Sequence, residues 1–257
     1  MTLLFEKKDG IGYITINRPD KYNSVNKETA LAFQSALDDC GSDDNVRCVV
    51  ISGNGKAFCA GQDLGEIVDP NGPPLDEIVS KHYNPIVLKI RALEKPVIAS
   101  VNGIAAGAGA NIALACDIVI AKESAAFLQA FSKIGLIPDS GGTYTLPRKI
   151  GLARASALMM LGEKVSAKDA EQMGMIYKAV PDGDFSEVIS KTAKKLANMP
   201  TVGLALTKKL LNASAKNSME EQLALEHECQ NIAGLTEDYN EGVRAFLEKR
   251  AAIFKGK

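Results

Sequence analysis

The sequence has no tryptophan, only two histidines and an aromatic content of 5%. With so few histidines, a histidine-rich metal site or a histidine-centred relay has little to work with. Neither His82 nor His227 has a visible serine partner, and Ser140 lacks the glycine two residues before it that a nucleophile elbow requires. The chain also lacks G-x-x-x-x-G-K-[ST], a G-x-G-x-x-G opening a helix after a strand, and H-E-x-x-H, so phosphate-loop, dinucleotide and zinc-protease readings fall away. Its five cysteines, Cys40, Cys48, Cys59, Cys116 and Cys229, are an odd number with no C-x-x-C pair. That set argues against a disulfide framework or a zinc site and suits a reducing cytoplasm.

Charge of one sign is missing as well: 30 basic residues face 31 acidic ones, for a net charge of −1. No basic block with interleaved aromatics is present, so nucleic acid is not an expected partner. The N-terminal MTLLFEKKDG becomes charged too early for the apolar core of a signal peptide. The most apolar stretch, 96–121, is interrupted by Asn102, Asn111 and Asp117, so no membrane span is expected. What remains is an ordinary globular composition, 46% apolar and 24% charged.

Along the chain, strands alternate with helices. Short strands are expected over Leu3–Lys7 and Gly12–Asn17, then a helix capped by Asn26 with Ala30, Phe33, Leu37 and Cys40 on one face. Apolar runs at Val46–Ser52, Val97–Val101 and Asp117–Ala121 read as buried strands, and Leu75–Leu93 reads as a helix between them. The pattern is that of an α/β fold with a mostly parallel arrangement. Past Ser140 the chain reads as mainly helical, with stripes Val188/Thr192/Leu196, Val202/Leu206/Leu210 and Tyr239/Val243/Phe246/Arg250. The turn-rich segment Asp69–Pro74 is either part of a binding cleft or a plain connector.

Two segments can aim backbone N–H groups into a cleft. SGNGKAFCAGQDL (52–64) leaves a strand through a loop rich in glycine, and VNGIAAGAGANIALACD (101–117) passes from strand through glycines into a helix start. Two such donors converging on one oxygen make an oxyanion hole, whose fixed dipoles stabilise charge on a carbonyl oxygen. A third segment, GLIPDSGGTYTLPR (135–148), carries Asp139 just before a helix expected to be capped at Ser140. Asp139 reads there as a helix cap or as a catalytic acid.

Together with INRPDKYNSVN (16–26), LGEKVSAKDAEQMGMIYKAV (161–180) and EGVRAFLEKR (241–250), these segments resemble the crotonase (enoyl-CoA hydratase/isomerase) superfamily over essentially the whole chain. The resemblance implies a crotonase-like spiral of ββα units, a core over 1–195 and a C-terminal helical trimerisation region over 196–257. It implies Ala60 and Ala108 as the oxyanion-hole donors, with Lys21, Tyr22, Ala60, Gln62, Asp63, Leu64 and Ala108 along the CoA and acyl groove. The expected partner is an acyl-CoA substrate, the expected assembly a homotrimer or a dimer of trimers, and no cofactor beyond CoA and no metal is implied. At the two positions where the hydratases of this family carry carboxylates, this chain has Asn111 and Phe131. An amide could orient a water and a phenyl ring cannot. Asp139 matches a catalytic carboxylate of the isomerases, and AFSKIGLIPDSGGT (130–143) resembles the 1,2-epoxyphenylacetyl-CoA isomerase subgroup. The expected activity is therefore isomerisation of a CoA thioester through an enolate, with Asp139 as acid/base. Enoyl-CoA hydration and silent acyl-CoA binding are the alternatives.

Overall fold

A computed structural model describes all 257 residues. The chain opens with the antiparallel pair β1 (Leu3–Lys8) and β2 (Ile11–Ile16), then α1 (Lys27–Ser42), whose cap Asn26 accepts the Thr29 N–H at 3.0 Å. Next come β3 (Cys48–Gly53), β4 (Ala57–Cys59) and the short α2 (Leu64–Val68). A longer helical stretch runs from α3 (Leu75–Glu77) through a π-helical turn, Ile78–Tyr83, into α4 (Asn84–Ala92). Then β5 (Val97–Val101), β6 (Ile104–Ala106) and α5 (Ala108–Ala115) are followed by β7 (Ile118–Lys122), β8 (Ala126–Leu128) and α6 (Gly142–Ile150).

These elements repeat one idea. From β3 onward, in each strand–strand–helix unit the first strand joins a six-stranded sheet, β1-β2-β3-β5-β7-β10 with β10 at Lys178–Val180, and the second joins a four-stranded sheet, β4-β6-β8-β9 with β9 at Lys164–Ser166. The repeated crossovers are parallel, so each unit returns to the same side and the chain spirals. Helix α7 (Leu152–Leu161) leads to β9 (Lys164–Ser166), which pairs antiparallel with β8; α8 (Ala167–Gln172) leads to β10 (Lys178–Val180).

Strand alternation explains the two cores. Val49 and Ile51 of β3 face the main core with Phe33, Ile90 and Ile112, while Cys48 and Val50 face a smaller one. The smaller core is closed by α9 (Phe185–Ala197) through Phe185, Ile189, Ala193 and Ala197. The sequence stripe Val188/Thr192/Leu196 is the neighbouring row of this helix, half-buried at the margin of that contact. Because α9 packs on the sheet to its last turn, the 1–195 boundary falls inside it.

The C-terminal layer consists of α10 (Thr201–Ser214), α11 (Met219–Gly234) and α12 (Glu237–Leu247). Basic side chains tie α10 to the core: Lys208 Nζ lies 2.8 Å from Asp117 Oδ2 and donates to the Ile90 carbonyl at 2.7 Å. Arg47 reaches the Met199 and Phe254 carbonyls at 2.5 and 2.9 Å. The stripe expected to end at Arg250 stops earlier, since α12 closes at Leu247, and its Tyr239, Val243 and Phe246 are exposed. All five cysteines are buried, free thiols, and burial pushes Cys48, Cys59 and Cys116 up to about 12. No helix is long and apolar enough to cross a membrane.

Candidate active site

The first site segment is held by the residues before α1. Tyr22 and Asn23 both take positive φ, 49° and 55°, a conformation that asparagine tolerates well. Asn23 is fully buried, and its amide accepts the Arg18 N–H at 2.9 Å and donates to the Asn54 and Ala57 carbonyls at 2.8 and 2.7 Å. Arg18 in turn donates to Asp63 Oδ2 at 2.6 Å, and Asp63 caps α2 through the Gly65 N–H at 2.9 Å. That ion pair helps hold the Asp63 carboxyl below the ordinary carboxylate value although burial opposes it. Asp63 is thus a strut between two loops. Lys21, Tyr22 and Leu64 are exposed, and Gln62 lies half-buried with its Nε2 on Glu66 Oε2 at 2.8 Å. Arg18 and Asn23 were missed as site residues, although both lie in the quoted 16–26 segment.

Ala60 does not offer a free N–H: it donates to the Tyr22 carbonyl at 3.0 Å. Beyond it, Val25 N–H donates to the Gly61 carbonyl at 2.7 Å and Asp63 N–H to the Val25 carbonyl at 2.9 Å, a parallel bridge between Val25 and Gln62. In such a bridge the N–H and C=O of the residue opposite Val25 point to the other edge. In a regular strand Ala60 and Gln62 would share an edge. Gly61, at φ +90°, breaks the alternation and turns the Gln62 N–H away from Val25. The edge it faces is that of β6 and α5, because β4 pairs with β6 there. A Cβ built on Gly61 would sit 3.1 Å from the Ala106 carbonyl oxygen and 3.5 Å from the Ala108 nitrogen. The fold therefore brings the Gly61–Gln62 segment to the start of α5, while the Ala60 N–H is held by the Tyr22 carbonyl.

Helix α5 begins at Ala108 with Gly107 as its cap residue and no side chain bonded to its first turn. Its first N–H groups have no partner within the helix, and the helix dipole favours negative charge there. The helix presses directly on β4: a Cβ on Gly109 would lie 2.3 Å from the Cys59 carbonyl oxygen, so only glycine fits. Phe131, buried, places its ring 3.7 Å from a Cβ position on Gly107, beside this end of the helix.

Asp139 is set by an amide chain. Gln129 Nε2 donates to Asn111 Oδ1 at 2.8 Å, and Asn111 Nδ2 donates to the Asp139 carbonyl at 2.8 Å. Asn111, on α5, thus fixes the Asp139 backbone relative to the Ala108 N–H. The expected capping is not found: α6 is capped at Gly141, with no side-chain hydrogen bond, and Ser140 (φ 50°) precedes it. The Ser140 hydroxyl donates instead to Asp139 Oδ1 at 2.8 Å. Burial raises the Asp139 pKa above its ordinary value of 3.8, against the opposing Ser140 hydrogen bond. Apolar side chains are exposed nearby in sequence, Ile134 and Ile137 before Asp139 and Leu64, Ile67 and Val68 on α2.

The histidines stand apart from this chemistry. His82 is buried with its Nε2 3.9 Å from Glu77 Oε1 and its pKa lowered by burial, and His227 Nε2 lies 3.1 Å from Asn231 Nδ2. The segment Asp69–Pro74 turns with Gly72 N–H on the Asp69 carbonyl at 2.8 Å and folds back on α2, where a Cβ built on Gly72 would lie 2.1 Å from the Glu66 carbonyl oxygen.

Known proteins resemble this chain over essentially its whole length. A family model described as enoyl-CoA hydratase/isomerase matches residues 6–257. The chain is 46% identical over 258 residues to the 1,2-epoxyphenylacetyl-CoA isomerase of Escherichia coli, covering 99% of this chain and 98% of that protein. It is 43% identical to a probable enoyl-CoA hydratase of Rhodobacter capsulatus, covering 100% of this chain and 98% of that one. A crystal structure of an enoyl-CoA hydratase from Bacillus anthracis superposes with a TM-score of 0.95 at 32% identity, each chain covered to 100%. With the spiral of ββα units, the glycine-shaped loops and this likeness over its whole length, the chain belongs to the enoyl-CoA hydratase/isomerase family, the crotonase superfamily.

Proposed function

We propose that this protein is an acyl-CoA isomerase that uses Asp139 as its single acid/base. The Asp139 carboxylate takes a proton from the acyl chain, the electron pair moves onto the thioester oxygen, and the Gln62 and Ala108 N–H groups stabilise that oxygen. The proton then returns at another carbon, so the product is an isomer and no redox equivalents are consumed. The exposed apolar side chains of α2 and of 134–137 would line the acyl groove, with Lys21, Tyr22 and Leu64 at its rim. A double-bond shift and the isomerisation of a ring epoxide, the reaction in the name of the 46% identical relative, both follow from this one proton transfer.

The observation that carries the proposal is the Gln129–Asn111–Asp139 chain. Hydration by the two-carboxylate route would need acids at 111 and 131. Here position 111 is an amide that takes no proton and is engaged in holding the Asp139 carbonyl, and Phe131 has no polar group to hold a water. The expected result is isomerisation of a β,γ-unsaturated acyl-CoA with little or no hydration of crotonyl-CoA, followed by the change in enoyl absorbance. Rapid hydration of crotonyl-CoA would favour the hydratase reading carried by the names of other relatives, and binding without turnover of either would favour a silent binder.

The same reading includes self-association. Tyr239, Val243, Phe246 and Leu247 are exposed along α12, beside a cavity of about 470 Å³ that they line with Pro200 and Phe254. So much exposed apolar surface is unusual for a monomer. Sedimentation is expected to give a trimer or a dimer of trimers, and a stable monomer at micromolar concentration would count against it. The five buried free thiols suit the cytoplasm.

A further inference from the structure

Four buried side-chain atoms in the chain lack a hydrogen-bond partner: Gln62 Oε1, His82 Nδ1, Tyr83 OH and Gln129 Oε1. Gln62 and Gln129 belong to the N–H loop and the Asp139 amide chain. Tyr83 belongs to neither, yet its side chain is only 1% exposed. An unpaired buried hydroxyl is costly and rare in native folds, and it is retained where something completes it. Tyr83 also closes the π-helical turn Ile78–Tyr83, a distortion that recurs at functional sites.

The position of this hydroxyl narrows its partner. One turn beyond Tyr83, Val87 lies 3.5 Å from a Cβ position on Gly141, so this face of the helix packs on the Asp139–Gly141 loop. Tyr83 shares the main core with Cys59 and Ala108, at the roots of both N–H loops. Cys59, Asp139, Glu66 and Asp63 act on its electrostatics, and burial raises its pKa well above 10.0, so the hydroxyl stays protonated and can donate. A CoA chain running along the exposed rim does not reach a fully buried atom, and the thioester oxygen is taken by backbone N–H groups. Of the parts of an acyl-CoA, that leaves an oxygen on the acyl group itself. Glu66 of α2 and Asp63 just before it are among the groups that act on the hydroxyl, and no side chain of α2 is buried, so that side of the hydroxyl can open at low cost.

We propose that the Tyr83 hydroxyl is the hydrogen-bond donor of the acyl pocket and selects acyl groups that carry an oxygen atom over their hydrocarbon counterparts. This rests on the acyl-CoA reading of the site and deepens it. The test is calorimetric binding of 2-hydroxyphenylacetyl-CoA and phenylacetyl-CoA to the parent protein and to Tyr83→Phe, with thermal unfolding of both proteins. Tyr83→Phe keeps the ring and removes only the orphan hydroxyl. The unliganded variant is expected to melt at the same or a higher temperature. Its affinity for the oxygen-bearing ligand should fall by roughly tenfold, a single hydrogen bond's worth, and its affinity for the hydrocarbon ligand should hold.

Equal changes for both ligands, or no change for either, would overturn the proposal, as would a parent protein that does not prefer the oxygen-bearing ligand. That last measurement stands even if the variant folds poorly. Failure of the isomerase reading would register separately, as absence of turnover by the parent protein with any acyl-CoA while the binding preference persists.

Discussion

Asp139→Asn is expected to lower isomerisation by roughly a hundredfold or more, the range for removal of a general base, while binding of a non-reactive acyl-CoA changes little. Asparagine keeps the size of the side chain and can still accept the Ser140 hydroxyl, so the loop should hold. The base acts only when ionised, and burial raises its pKa above 3.8, so kcat/KM should rise with pH through a limb displaced above the ordinary carboxylate range. That limb should vanish in the variant. Stability gives the opposite sign. A raised folded-state pKa means the native state holds the proton more tightly than the unfolded chain. The cost of ionised Asp139 is therefore absent below the unfolded pKa and fully present above the folded one. Asp139→Asn should melt higher than the parent protein at neutral pH, and the gap should close in acid. A folded variant that still exchanged the substrate α-proton with deuterated solvent at the parent rate would remove Asp139 from the mechanism.

Much of the fold was legible because several elements are long and periodic. The Asn26 cap with Ala30, Phe33, Leu37 and Cys40, and the apolar run Val97–Val101, appear in the structure as read. The strands of the four-stranded sheet were not legible: each is three residues long, too short for alternation to register. On α9 two adjacent rows are apolar, and only packing against β3 selects Phe185, Ile189 and Ala193 as the buried one.

The site divides in the same way. Asp139 and Ala108 stand at the strand–helix junctions that the sequence marks with glycine. That the Ala60 N–H is engaged by the Tyr22 carbonyl was invisible, because it goes with a reversal of the backbone at Gly61, whose φ is +90°. A glycine announces that such a reversal is allowed without saying that it occurs. Asn23 left a similar trace, an asparagine in a turn, and its three hydrogen bonds join segments up to 34 residues apart.

Exchanging one backbone N–H at a time for an ester oxygen separates the two candidate donors without altering any side chain. At Gln62 or Ala108 the exchange is expected to lower kcat by about a hundredfold to a thousandfold, the loss seen when one oxyanion-hole donor is removed. At Ala60 it removes the bond to the Tyr22 carbonyl, and the expected cost is about 1 kcal/mol of stability with turnover largely kept. Ala108→Pro offers a genetic version. Position 108 is the first residue of α5, where proline is tolerated because that N–H has no helical partner, so the fold should survive the substitution. Loss of turnover with retained acyl-CoA binding is the expected outcome, since the donors hold charge that develops only as the proton leaves. An Ala60 ester that lost turnover as severely as the Ala108 ester, beside a fully active Gln62 ester, would return the oxyanion hole to Ala60. It would also require the Tyr22 carbonyl to give up the Ala60 N–H when the substrate arrives.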